Sequence, residues 1–175
     1  MTTRNASDPI YINGDSDHER RRLKIQSDLV NPFLRDMLLR AGIGTGMRVL
    51  DVGSGAGDVA IVAAEVVGET GSIVGIDLNP SILETARARV ADAGHHNVTF
   101  APGDIRTIEL EGTFDAVIGR AVLMYMSDPT AALRRTRSFV RPGGKVAFLE
   151  YDTSAISYAI SFWTLVSPNL RFSKT

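Results

Sequence analysis

The chain has 175 residues, 44% of them hydrophobic, with 19 Lys and Arg against 20 Asp and Glu and a formal net charge of −1. That balance describes one ordinary globular domain and gives no electrostatic reason to expect nucleic acid or an anionic membrane as partner. There is no cysteine, which excludes a disulfide scaffold, a thiolate metal site and a cysteine nucleophile.

The first ten residues, MTTRNASDPI, lack the apolar stretch of a secretory signal, so a cytoplasmic location is expected. Residues 1–16 read as an irregular arm anchored by Tyr11 and Ile12. From Asp17 to Val30 the pattern turns helical, with Leu23, Ile25, Leu29 and Val30 set against the charged run Glu19 to Arg22. Asn31-Pro32 pairs a favoured N-cap with a residue tolerated at the first helical position, which predicts a second helix from Pro32 to about Arg40, stopped by Gly42. Asn79-Pro80 and Asp128-Pro129 announce helices in the same way.

Short apolar runs rich in β-branched residues lie between the helices: Arg48 to Val52, Ser72 to Asp77, Val98 to Ala101, Phe114 to Gly119 and Lys145 to Tyr151. They are nearly continuous rather than alternating, as in strands covered on both faces. Helical patterns run from Asp58 to Val67, Pro80 to Ala93 and Pro129 to Val140. Strand and helix alternate throughout, so the expected fold is an α/β doubly wound, mostly parallel sheet behind an N-terminal helical cap. The division expected is an arm and cap over residues 1–46 and one α/β unit over 47–175. The apolar stretch Ala155 to Val166 is interrupted by Ser, Tyr and Thr and is shorter than the roughly 20 residues a bilayer requires, so no membrane partner is expected.

The segment Val49-Leu50-Asp51-Val52-Gly53-Ser54-Gly55-Ala56-Gly57-Asp58 takes a strand into a glycine turn and then a helix. Glycines there let the backbone approach a ligand at the carboxyl end of the strand, where open α/β sheets bind. The dinucleotide fingerprint places its third glycine one residue later, and a phosphate loop requires Gly-Lys-Ser/Thr. The acidic residue inside the strand, followed by G-x-G-x-G, resembles the nucleotide-binding motif of class I S-adenosylmethionine-dependent methyltransferases.

Later segments extend the resemblance over roughly residues 47–151. Asp77, at the end of Gly75-Ile76-Asp77-Leu78-Asn79-Pro80, is suited to accept both hydroxyls of a ribose, with Leu78 on an adenine face. Gly103-Asp104-Ile105 is similar to the family's acidic third-strand motif, which implies Asp104 for the adenine amine and Ile105 beside the ring. Phe114 to Val122 looks like the fourth-strand motif and Arg141-Pro142-Gly143-Gly144-Lys145 like the turn into the fifth strand. The resemblance implies S-adenosylmethionine as cofactor and a Rossmann-like sheet of order 3-2-1-4-5. Gly53, Ser54 and Gly55 would lie along the methionine and ribose, Asp51 near the amino group, and Arg120 would offer it a backbone carbonyl. Tyr11-Ile12-Asn13-Gly14, Asp17 to Arg20, Leu23 and Gln26 resemble the leader of small-molecule methyltransferases of the ubiquinone/menaquinone-biosynthesis type, which implies Tyr11 and Gln26 over the cofactor.

The function so implied is in-line methyl transfer to a small-molecule acceptor, in which holding the nucleophile matters more than a catalytic base. Where a base is required, His18, Tyr11, Tyr125 and Asp152 are the candidates. Met124, Tyr125 and Met126 stand beside the fourth strand, where a substrate pocket and core packing compete for them. His95-His96 lacks spaced carboxylates and reads as a surface pair, so no metal is expected. The alternatives are a non-catalytic S-adenosylmethionine-binding or interaction module, and an NAD-dependent oxidoreductase, which the glycine spacing and Asp104 disfavour.

The family adds a helix, a sixth strand and an antiparallel seventh strand after the fifth. Here Ile156, Ile160, Trp163 and Val166 have helical spacing before Pro168, so the tail supplies the helix and the sixth and seventh strands are missing. The fifth strand would then be an open apolar edge. Two outcomes follow: a homodimer through the exposed edge or the tail, or a shortened enzyme with an incomplete acceptor pocket.

Overall fold

The structure, a computed structural model, describes residues 30–151 and 160–166. In chain order it comprises α1 (residues 30–40), β1 (Arg48–Val52), α2 (Asp58–Val67), β2 (Ser72–Asp77), α3 (Pro80–Asp92), β3 (Val98–Pro102), β4 (Phe114–Arg120), a 3-10 turn (Leu123–Tyr125), α4 (Pro129–Phe139), β5 (Val140–Tyr151) and β6 (Ile160–Val166). The strands form one sheet in the order β3-β2-β1-β4-β5-β6. The first five are parallel, in the expected order, and β6 is antiparallel.

Successive strand residues point to opposite faces, so each strand feeds two cores. On one face Val49, Ile73, Ala116, Ile118 and Leu149 meet Leu34, Met37 and Leu38 of α1 and Ala60, Ala63 and Val67 of α2. On the other, Leu50, Val52, Ile76, Val117 and Phe148 meet Ala132 and Phe139 of α4. Burial on both faces explains the unbroken apolar runs. The helix starts behave as their residues require: Asn79 accepts the Ser81 N–H at 3.0 Å and Asp128 accepts the Ala131 N–H at 2.8 Å, each followed by proline.

Three expectations are corrected. Residues 30 and 31 are already helical, so Asn31 is not a helix boundary; Pro32 forfeits its own N–H but keeps a helical φ. The segment Arg141 to Gly144 is not a turn ahead of the fifth strand but a bulge within it, since the register passes from Phe114↔Val140 to Ala116↔Lys145. Gly143 there has φ 77°, and Arg141 Nε donates to Asp115 Oδ1.

The third correction concerns the tail. Ile160–Val166 is a sixth strand rather than a helix, with Tyr151 opposite Ile160 and Lys145 opposite Val166. The run ISFWTLV is rich in β-branched and aromatic residues, and spacing over so short a stretch does not separate helix from strand. The edge of β5 is therefore covered. β6 runs antiparallel beside β5. No helix among the described residues is long and apolar enough to cross a membrane.

Candidate cofactor site

The sheet topology brings the carboxyl ends of β1, β2 and β4 together, with β1 central. The turn leaving β1 is left-handed at Gly53 (φ 69°) and Gly57 (φ 86°). Gly53 is required twice over, because a Cβ there would occupy the space of the Val122 side chain. The turn is tied to β2 by Ser54 N–H on the Ile76 carbonyl (2.9 Å) and Gly55 N–H on Asp77 Oδ2 (3.0 Å). The other Asp77 oxygen accepts the Asn79 N–H at 2.9 Å. Asp77 thus organises the turn at the tip of β2, while Asn79 caps α3.

Asp51 is fully buried on β1, and its Oδ2 accepts the Ser54 hydroxyl at 2.6 Å. Its register partner on β2 is Gly75, where a Cβ would collide with Ser54 Oγ and the Phe100 ring. Glycine at that position makes room for the Asp51–Ser54 pair. Burial pushes the Asp51 carboxyl up to about 7, against the lowering effects of Ser54 and the Arg120 charge. Its Oδ1 is buried with no hydrogen-bond partner among the described residues.

Charged side chains frame the turn. Arg120, at the end of β4, donates Nη2 to Asp58 Oδ2 at 3.0 Å. Asp58 also accepts Arg89 Nη2 at 2.6 Å, and Arg89 Nη1 reaches the Ala56 carbonyl at 2.7 Å. Arg120 Nη1 is buried without a hydrogen-bond partner among the described residues.

Beyond the turn, Leu78 projects from the tip of β2 at 67% exposure. The Gly103 N–H donates to the Asp77 carbonyl (2.9 Å), bringing the tip of β3 alongside. The Asp104 carboxylate accepts the backbone N–H of Arg106 at 2.9 Å and its Nε at 3.0 Å, and these hydrogen bonds hold it below the usual carboxylate range. Ile105 is buried in the same core as Leu50 and Val52. Tyr125 lies exposed on the 3-10 turn. That turn is held from β5, where Glu150 Oε1 accepts the N–H groups of Val122 and Leu123, both at 3.0 Å.

The structure therefore gathers Asp51, Gly53, Ser54, Gly55, Asp77, Leu78 and Arg120 around one turn and sets Asp104 and Ile105 at the neighbouring strand tip. Tyr11, His18, Gln26 and Asp152 lie outside the described residues. Sequence reasoning missed Asp58, Arg89, Val122 and Glu150. Only Glu150 carried a legible signal, a lone carboxylate ending an apolar strand.

The glycine turn and its neighbouring carboxylates lie at the carboxyl edge of a doubly wound sheet, where such folds bind their ligands. A methyltransferase-domain family matches residues 43–163, and the chain belongs to that family. It is 36% identical over 105 residues to the aklanonic acid methyltransferase DauC of Streptomyces sp. (strain C5), covering 59% of this chain and 48% of that protein. It is 33% identical over 114 residues to the ubiquinone/menaquinone biosynthesis C-methyltransferase UbiE of Cellvibrio japonicus, covering 64% and 46%. The chain thus spans about half the length of these relatives. Among solved structures, a SAM-dependent methyltransferase from Aquifex aeolicus superposes with a TM-score of 0.63 at 27% identity, over 68% of this chain and 64% of that one.

Proposed function

We propose that the chain binds S-adenosylmethionine at the turn after β1 and transfers its methyl group to a small-molecule acceptor. The observation that carries the reading is Asp51 Oδ1, buried beside that turn with no hydrogen-bond partner among the described residues. An orphaned carboxylate oxygen in a dry setting suits a cationic donor, and an ammonium group supplies one. The remaining residues fit the rest of the cofactor. Asp77 takes the ribose hydroxyls, exposed Leu78 the adenine face and Asp104 the adenine amine, with Ile105 behind it. Gly53, Ser54 and Gly55 present backbone to the ligand, and the Arg120 carbonyl joins Asp51 at the amino group. Tyr11 and Gln26 are proposed to close over it.

When bound, S-adenosylmethionine supplies a sulfonium methyl that is already electrophilic. What the chain contributes is placement: it fixes the ligand on a rigid sheet edge and aligns an acceptor beside it. His18, Tyr11 or Tyr125 would receive a proton where the acceptor must lose one. The relatives' names support a small-molecule acceptor, aklanonic acid in one case. We propose a cytoplasmic location and, where chains associate, a homodimer; the open β5 edge expected to mediate it is taken by β6 of the same chain.

Calorimetric titration with S-adenosylhomocysteine and with NAD tests the reading. Saturable binding of the first without the second is expected; NAD binding with no response to S-adenosylhomocysteine overturns it.

A further inference from the structure

Two polar atoms, Asp51 Oδ1 and Arg120 Nη1, are buried beside the Gly53–Gly57 turn with no hydrogen-bond partner among the described residues. The residues are close enough for the Arg120 charge to act on the Asp51 carboxyl. They do not satisfy one another, since the ion pair of Arg120 goes to Asp58. A guanidinium N–H left without an acceptor in a side chain only 14% exposed costs free energy that a direct pair would recover.

The guanidinium is also fixed in place. Asp58 holds its Nη2, Arg89 holds Asp58, and Arg89 anchors on the Ala56 carbonyl of the turn itself. This chain of contacts fixes the guanidinium beside the turn while leaving Nη1 without an acceptor among the described residues. A fixed cation and a buried carboxyl that a ligand ammonium would hold ionised, adjacent yet unjoined, form a receptor for a zwitterion: a carboxylate for the first and an ammonium for the second.

We infer that the Arg120 side chain is the carboxylate receptor for the α-amino-acid end of the cofactor, acting opposite Asp51. This rests on the methyltransferase reading and goes beyond it, because there Arg120 serves through its backbone carbonyl alone. Planar, bidentate-capable arginine suits the role better than lysine, whose charge could not be held by Asp58 and also present a second N–H in the same plane. The cofactor's methyl group, sulfur and nucleoside need no contact with Arg120, so its effect is confined to the amino-acid end.

The test is a calorimetric cycle using S-adenosylhomocysteine, its decarboxylated analogue and two variants, Arg120→Gln and Arg120→Lys. In the unaltered protein, loss of the ligand carboxylate is expected to weaken binding roughly 10- to 100-fold. Arg120→Gln should weaken S-adenosylhomocysteine by a similar factor and leave the decarboxylated analogue within about twofold, with Arg120→Lys intermediate. Equal binding of both ligands by the unaltered protein overturns the inference, and that arm needs no variant to fold. An equal loss for both ligands in Arg120→Gln also overturns it, by making the side chain a structural counter-ion. Failure of the unaltered protein to bind either ligand removes the methyltransferase reading itself.

Discussion

The Asp77 carboxylate accepts the Gly55 N–H at 3.0 Å and so ties the tip of β2 to the turn that follows β1. Its second oxygen holds the Asn79 N–H, which makes the carboxylate assigned to the ribose part of the scaffold as well. Asp77→Ala should therefore show two separable effects. S-adenosylhomocysteine affinity should fall roughly 10- to 100-fold, and stability should fall by about 1–3 kcal/mol as two backbone donors lose their acceptor. Calorimetry and urea unfolding measure them independently, and unchanged affinity would remove Asp77 from the site.

Gly53→Ala should destabilise the protein by about 2–4 kcal/mol, because a Cβ there meets the Val122 side chain and φ is left-handed. Combining it with Val122→Ala relieves the collision but not the backbone strain. A double-mutant cycle by chemical denaturation should accordingly show a favourable coupling between the two substitutions, with a residual penalty of about 1 kcal/mol.

Asp51 sets a pH dependence with a definite sign. Its folded-state carboxyl is pushed up to about 7 from 3.8. The stability it contributes is complete below its unfolded value and is lost as pH rises towards 7. Relative to Asp51→Asn, which carries no titrating group, the unliganded protein should lose stability across that window, by at most on the order of 4 kcal/mol. Urea unfolding of both proteins at several pH values tests this. A ligand ammonium favours the ionised carboxylate, so S-adenosylhomocysteine binding at about pH 6 should release protons. Calorimetry in buffers of different ionisation enthalpy reads that release, and net proton uptake would contradict the role.

Glu150 should govern the order of the segment after β4. Glu150→Ala removes the acceptor of the Val122 and Leu123 N–H groups, so those amides should exchange with solvent about tenfold faster or more. Glu150→Gln, which keeps one carboxamide oxygen, should recover part of the protection.

The fold was legible wherever local chemistry and tertiary environment agree. Asn79 and Asp128 cap their helices as their Pro-following positions imply, and β1, β2 and α2 occupy the stretches marked by their apolar runs. The tail read as helix because its apolar spacing is ambiguous over one short segment; the unpaired edge of β5 decided the matter, and no property of the tail alone records that edge. Arg141 to Gly144 read as a turn because Pro-Gly-Gly suits one, whereas the register slip opposite Phe114 and Ala116 makes it a bulge. At the site, Asp51, Gly53 and Asp77 were legible from their spacing and strand positions. The Asp58–Arg89–Arg120 chain was not, because its members come from three elements joined only by the fold.

The most direct test of the account is a crystal structure of the protein with S-adenosylhomocysteine. The account predicts the nucleoside at the carboxyl end of β2, with the Asp77 carboxylate on both ribose hydroxyls and the amino group within reach of Asp51, directly or through one water. A ligand bound elsewhere, or bound there with Asp77 free of the ribose, would contradict it.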